Sequence, residues 1–216
     1  MLHSYDFDDM ALRAHRMARE KGWWGSDVSS PDNRAPADQV NNFHAELSEA
    51  WEEWRAQRGI AEVYHRDDGK PEGFPVELAD LLIRLGDTAG RYELVVNSIV
   101  RQYLPRMLDE ADVMPALGRG FSAAETSGFV KSCHKTVTGF GDALEQLHGY
   151  AVVRPETRGA SQGARDTELE AINSLALCVL TVLCFCERAE IPIAEIIEQK
   201  MVYNATRPHR HGGKRA

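Results

Sequence analysis

The sequence predicts an all-α helical bundle, and three observations carry that prediction. Apolar residues recur at helical spacing along nearly the whole chain, while strand-like alternation is almost absent. Prolines and glycines punctuate the ends of the periodic runs; Pro75 and Pro192 each suit a first helical turn. The run Ile172–Cys186 is apolar nearly all round, which marks a helix buried on every side.

Taken in order, Asp8–Lys21 reads as a first helix, followed by a Trp-bearing segment, Gly22–Gly25, and a polar loop, Ser26–Pro36. A second helix covers Ala37–Gln57. Arg58–Pro75, rich in glycine, proline and charge, reads as a loop. A third helix covers Val76–Gly90 and a fourth Leu94–Glu110, with Pro105 as a late kink or stop. Met114–Phe121 is a connector. The fifth helix is Ser122–Tyr150, softly interrupted by Gly139 and Gly141, and Val153–Arg165 reads as a mobile Gly/Ser/Arg-rich link. The sixth is Asp166–Ala189 and the seventh runs from Pro192 to Arg207, before a basic tail, Pro208–Ala216.

The whole chain, 1–216, reads as one domain with a repeated layout inside it. Val76–Met107 and Asn173–Asn204 each hold a long helix, a short break and a second helix, and each is preceded by a helix of its own. This gives candidate halves 37–110 and 122–207. Duplication and plain insertion both account for the pattern.

Composition narrows the function. A hydrophobic share of 43% and a charged share of 27% are those of a soluble globular protein. A net charge of −8 argues against a general nucleic-acid or membrane-surface binder, which needs a basic footprint. An acidic protein still binds polyphosphate where metal ions intervene, because the cation inverts the local charge logic. The cysteines Cys133, Cys178, Cys184 and Cys186 match no zinc spacing and read as buried free thiols in a reducing compartment. Met1–Glu20 has no signal-peptide core, and Ile172–Cys186 is too short and too closely flanked by charge to span a bilayer. The expected location is the cytoplasm.

Two acidic ladders stand out. Glu46, Glu49 and Glu53 lie at i, i+3 and i+7, an arc of roughly 60° on a helix. Glu77, Asp80 and Asp87 form a similar row on the next helix. Each row adjoins an apolar stripe, Phe43, Leu47, Ala50 and Trp54 in one case and Leu78, Leu81, Leu82 and Leu85 in the other. Packing the two stripes together brings the rows to one edge of the bundle, where converging carboxylates repel unless cations neutralise them. Magnesium, an oxygen-seeking ion that keeps waters, suits such a place. A solvated acidic face is the plainer reading of either row alone.

Near the C-terminus, Lys200, Asn204 and Arg207 share a helical face and are followed by basic residues that include Lys214. An ammonium, an amide and a guanidinium on one line can clasp phosphate oxygens; cations favouring a helix C-terminus explain the same residues. Trp51 and Trp54 fit the core stripe, leaving Trp23 and Trp24 to stack a base. No phosphate-binding glycine loop, nucleophile elbow or Cys/His pair is present.

Together these pieces resemble the all-alpha nucleotide pyrophosphohydrolase superfamily, in particular its MazG-like members. The matching stretches are His44-Ala-Glu46-Leu-Ser-Glu49-Ala50, then Gly69-Lys-Pro-Glu-Gly-Phe-Pro-Val-Glu77-Leu-Ala-Asp80, then Lys200-Met-Val-Tyr-Asn204-Ala-Thr-Arg207-Pro, then His211-Gly-Gly-Lys214. Lys21-Gly-Trp-Trp is similar as well. The resemblance covers roughly the first 90 and last 30 residues. It implies a helical bundle with Glu46, Glu49, Glu77 and Asp80 as Mg²⁺ ligands (Mn²⁺ as a substitute). Lys200, Asn204, Arg207 and Lys214 would hold a nucleoside triphosphate, which is split to monophosphate and pyrophosphate. A metal-polarised water attacks the α-phosphorus with help from one carboxylate. Glu46, Glu49 and Glu53 are the catalytic candidates, and the base is open between Glu52 and Glu53.

The chain departs from small MazG-like proteins by roughly 90 residues between its acidic and basic pieces. Under duplication one chain imitates a two-subunit bundle with a single active site, where small relatives dimerise; a homodimer of this chain stays open. Two other readings remain: a catalytically silent bundle that binds nucleotide or a protein partner, and a hydrolase of another phosphorylated nucleotide.

Overall fold

The computed structural model describes residues 5–25, 34–109, 121–153 and 161–210, the side chains of 151–153 excepted. Of these residues 77% are helical, in seven helices: α1 (Phe7–Glu20), α2 (Pro36–Arg55), α3 (Phe74–Tyr92), α4 (Asn97–Asp109), α5 (Ala123–Val153), α6 (Gln162–Arg188) and α7 (Ile193–Thr206). The protein is an all-α helical bundle. Most of the loop Ser26–Pro36, most of the connector Met114–Phe121, the centre of the link Val153–Arg165 and the tail from His211, with Lys214, lie outside the described residues.

Helix ends are set by contacts that periodicity does not carry. The Asp6 carboxylate accepts the Asp9 N–H at 3.0 Å and caps α1. The start of α4 is satisfied from a distance: Asp8 on α1 accepts the Val96 and Asn97 N–H groups at 3.0 and 3.1 Å, so α4 begins three residues later than expected. The Ser161 hydroxyl accepts the Ala164 N–H and opens α6 four residues earlier than the apolar run suggests. Gly141 does not interrupt α5; a Cβ there would stand 2.7 Å from Val40 Cγ2, so glycine lets α2 approach.

The expected loop before α3 contains a short antiparallel hairpin, β1 (Tyr64–His65) with β2 (Pro71–Glu72), Tyr64 opposite Glu72. Gly73 joins it to α3 at φ 125°, and a Cβ there would meet the Glu62 carbonyl oxygen at 2.3 Å. Pro75 then sits in the first turn of α3. This places the hairpin over the N-terminal end of α3.

The core is continuous, running from Phe7, Phe43 and Leu82 through Phe140 to Val179 and Phe185. The helices pack in matched pairs: α2 on α3 and α5 on α6, α3 on α7 and α6 on α4, with α2 meeting α5 between the halves. The last helix of each half thus packs on the long helix of the other. Helix α1 packs on α3 alone among these strong contacts. By length and composition α6 is the one described helix that passes for a membrane span, but 61% of its apolar window is buried inside the bundle. The helix is thus longer than the run Ile172–Cys186, which by itself is too short to span a bilayer, and its burial is compatible with a soluble protein. All four cysteines are free and buried, and burial pushes the Cys178 thiol up to about 12.

Candidate metal and anion site

Helices α2 and α3 run antiparallel, pinned by Thr88 donating to Gln39 at 2.5 Å and Arg84 Nε donating to Glu46 Oε1 at 2.5 Å. Their apolar stripes interlock, and the two acidic rows meet at the edge of that contact. Glu46, Glu77 and Asp80 each offer an oxygen within 4.8 Å of the others. Glu46 and Glu77 are buried, 3% and 2% exposed, and Glu77 Oε2 has no hydrogen-bond partner.

Burial, with Asp80 and Glu46 close by, pushes the Glu77 carboxyl up to about 9, against a smaller opposing pull from Lys200. Burial raises Glu46 as well, although Arg84 pulls it down. Glu46 and Asp80 have Arg84 and Lys200 as donors, but the buried Glu77 Oε2 has none, and an orphaned carboxylate oxygen among close acids is an environment a hard divalent cation relieves. Glu46, Glu77 and Asp80 could therefore hold a metal ion, by their oxygen donors and by the orphaned Glu77 oxygen.

Beside the acids lies a cavity of about 490 Å³, with Glu46, Glu49 and Asp80 on one wall. The same lining carries the cations Lys21, Arg34, Arg66, Lys70, Arg84 and Arg207, together with two further acids, Asp68 and Asp87. Several of these cations are already paired with carboxylates: Arg34 with Asp87, Arg84 with Glu46 and Lys70 with Glu72. The hairpin contributes Arg66 and Lys70. Lys70 donates to Glu72 Oε1 at 2.6 Å, and although burial opposes charge on Glu72, this bond holds its carboxyl below the usual value.

Not every expected residue joins the cluster. Glu49 is exposed at the mouth of the cavity. Glu53 is turned to the hairpin, accepting the Tyr64 hydroxyl at 3.0 Å, with Arg58 Nε 3.5 Å away. Asp87 lines the cavity but not the three-acid cluster; its carboxylate is tied into a buried knot, pairing with Arg34 at 2.5 Å and accepting Trp24 Nε1–H at 2.6 Å, with His15 at 3.0 Å.

Lys200 does reach the acids, but as a buried partner. Its Nζ stands 2.8 Å from Asp80 Oδ2 and 3.4 Å from the Pro71 carbonyl oxygen, with the residue 1% exposed. Asn204 and Arg207 line the cavity, and Asn204 Oδ1 is a buried acceptor without a donor. The first tail residues are tied down: Lys21 Nζ donates to the Ala205 and Arg207 carbonyls at 2.7 and 2.5 Å, and Arg210 N–H donates to the Lys21 carbonyl at 3.0 Å. Trp23 lines the cavity, whereas Trp24 is buried against Asp87; Trp51 and Trp54 stack on each other at 4.7 Å beside the core.

Arg34, Arg66, Lys70 and Arg84 were not expected at the site. The signal for Arg84 is its place as the lone cation in the stripe Leu81–Leu85, one turn after Asp80. The loop cations gave none, since a charged loop ordinarily faces water.

No family model, curated protein or solved structure matches this chain.

Proposed function

We propose that this protein is a magnesium-dependent, MazG-like nucleoside triphosphate pyrophosphohydrolase that releases monophosphate and pyrophosphate. The observation that carries the reading is the joining of two opposite features: three carboxylates, two buried and one half-buried, within 4.8 Å of one another, and a cavity of about 490 Å³ beside them whose lining mixes cations with acids. A polyphosphate chelated to a divalent ion presents both charges at once, which supports the reading of a site with acids and cations side by side.

Glu46, Glu77 and Asp80 would hold the ion, with Glu49 at the rim. When bound, a magnesium-type ion supplies water activation and charge screening. Arg66, Lys70, Arg84 and Arg207 bind and orient the phosphate oxygens, stabilising charge that builds up on them as the α–β anhydride bond breaks. In place of Glu52, which pairs with Arg55, or Glu53, which is turned to Tyr64, the exposed Glu49 carboxylate in the cavity lining accepts the proton of the attacking water, and pyrophosphate leaves carrying the broken bond's electron pair. The free thiols and the burial of α6 fit a cytoplasmic protein. The matched packing of α2–α4 with α5–α7 fits a duplicated chain that acts as its own dimer.

A panel of ribo- and deoxynucleoside triphosphates with Mg²⁺ or Mn²⁺ tests the reading: turnover should yield pyrophosphate and no orthophosphate. Turnover of diphosphates alone would favour the wider hydrolase reading. A catalytically silent bundle has one observation in its favour, the pairing of Glu46 with Arg84 and Asp80 with Lys200. Absence of turnover across the panel would favour it.

A further inference from the structure

Two cations already touch the acids, and they differ in freedom. Arg84 pairs with Glu46 from a side chain that is 37% exposed, so it can swing toward a phosphate when an ion takes its place. Lys200 cannot leave. It is 1% exposed, and its ammonium is fixed between Asp80 Oδ2 at 2.8 Å and the Pro71 carbonyl oxygen at 3.4 Å. Moving it outward would strand Asp80 and break the tie between α7 and the hairpin.

Ions in a two-metal site stand about 3.5–4 Å apart and share a bridging carboxylate oxygen. Asp80 is the half-buried acid between α3 and α7 that could bridge them, and its Oδ2 already faces the ammonium. Glu77 Oε2, buried and without a donor, remains available for one ion on the α2 side.

We propose that Lys200 is a built-in second cation, so that the site takes a single divalent ion instead of a pair. This rests on the metal-site reading above and assigns the lysine a role other than grasping phosphate directly. Replacing the ammonium by an apolar side chain of similar length opens the second position.

The test is manganese binding to the full chain, read by titration and electron paramagnetic resonance without substrate. Wild type should bind one Mn²⁺ tightly and show an isolated-ion spectrum. Lys200→Met should bind two, with the exchange-coupled signal of neighbouring ions, while Lys200→Arg, which keeps the charge, should stay at one. Two tight ions in wild type, or one in both wild type and folded Lys200→Met, would overturn the proposal while leaving a metal-dependent function standing. No tight Mn²⁺ in wild type would overturn both. If Lys200→Met does not fold, the wild-type count and spectrum, with Lys200→Arg, still decide the matter.

Discussion

The bundle contains two grooves at corresponding places, and they share almost no chemistry. In the first, Asn42, Glu46 and Glu49 on α2 face Asp80, Arg84 and Asp87 on α3, with Asn204 of α7 across the gap. In the second, a cavity of about 1050 Å³, Gly128, Ser132 and Lys135 hold the same i, i+4, i+7 spacing on α5. They face Leu177, Thr181 and Cys184 on α6, again spaced like their counterparts, with Met107 of α4 across the gap. Glu46, Glu49, Asp80 and Asp87 of the first groove are matched by Ser132, Lys135, Leu177 and Cys184 in the second, whose one acid, Glu125, stands elsewhere. The helical frame is common to both, so chemistry resides in a few positions along it.

The strongest way to break this contrast is to neutralise the first groove. Glu49→Gln with Asp80→Asn should lower turnover on the order of 10³-fold, while tight Mn²⁺ binding disappears from calorimetric titration. Retention of both would detach the acids from the chemistry. The next expected effect is structural. Arg34 and Asp87 are 8% and 9% exposed, so Arg34→Met leaves a buried carboxylate without its cation. The expected loss is about 3 kcal/mol in urea unfolding, and Arg34→Met with Asp87→Leu should recover much of it.

A third expectation separates the grooves by pH. In the metal-free fold the Glu77 carboxyl is held at about 9 against an ordinary 4.5, so the folded chain keeps a proton that the unfolded chain has released. The stability from that proton is complete below about 4.5 and is lost as pH rises through about 9. EDTA-treated protein should therefore weaken by up to about 1.4 kcal/mol per pH unit across this window. Glu77→Gln should remove the slope, and saturating Mg²⁺ should flatten it. An unchanged slope in Glu77→Gln would place its origin elsewhere.

Gly73→Ala strains the joint that holds the hairpin over the first groove, and should cost about 1–3 kcal/mol and raise KM more than it lowers kcat. The smallest effect is expected in the second groove. Leu177 is 49% exposed, and Leu177→Asp should change stability by no more than about 0.5 kcal/mol and leave turnover alone. A large loss of turnover there would mean the grooves are coupled.

The contrast also explains what the sequence makes legible. Helical periodicity places Glu46, Glu49, Glu77 and Asp80 beside their core stripes, and that local regularity suffices to bring Glu46, Glu77 and Asp80 together. The partners of Glu53 and Asp87 are set by a two-residue strand and by Arg34, contacts between distant segments that no local pattern encodes. The hairpin is equally silent, since β1 and β2 are too short to alternate and depend on Gly73 fitting against Glu62. Lys200 shows its helical face in the sequence but not its depth. Only the packing of α7 against α3 and the hairpin makes it a buried counter-ion.

The central claim, attack at the α-phosphorus, is tested most directly by turnover in ¹⁸O-labelled water with Mg²⁺, followed by mass analysis of the products. The label should enter the nucleoside monophosphate and leave pyrophosphate unlabelled. Label in pyrophosphate or orthophosphate, or no product from any triphosphate, would contradict the claim.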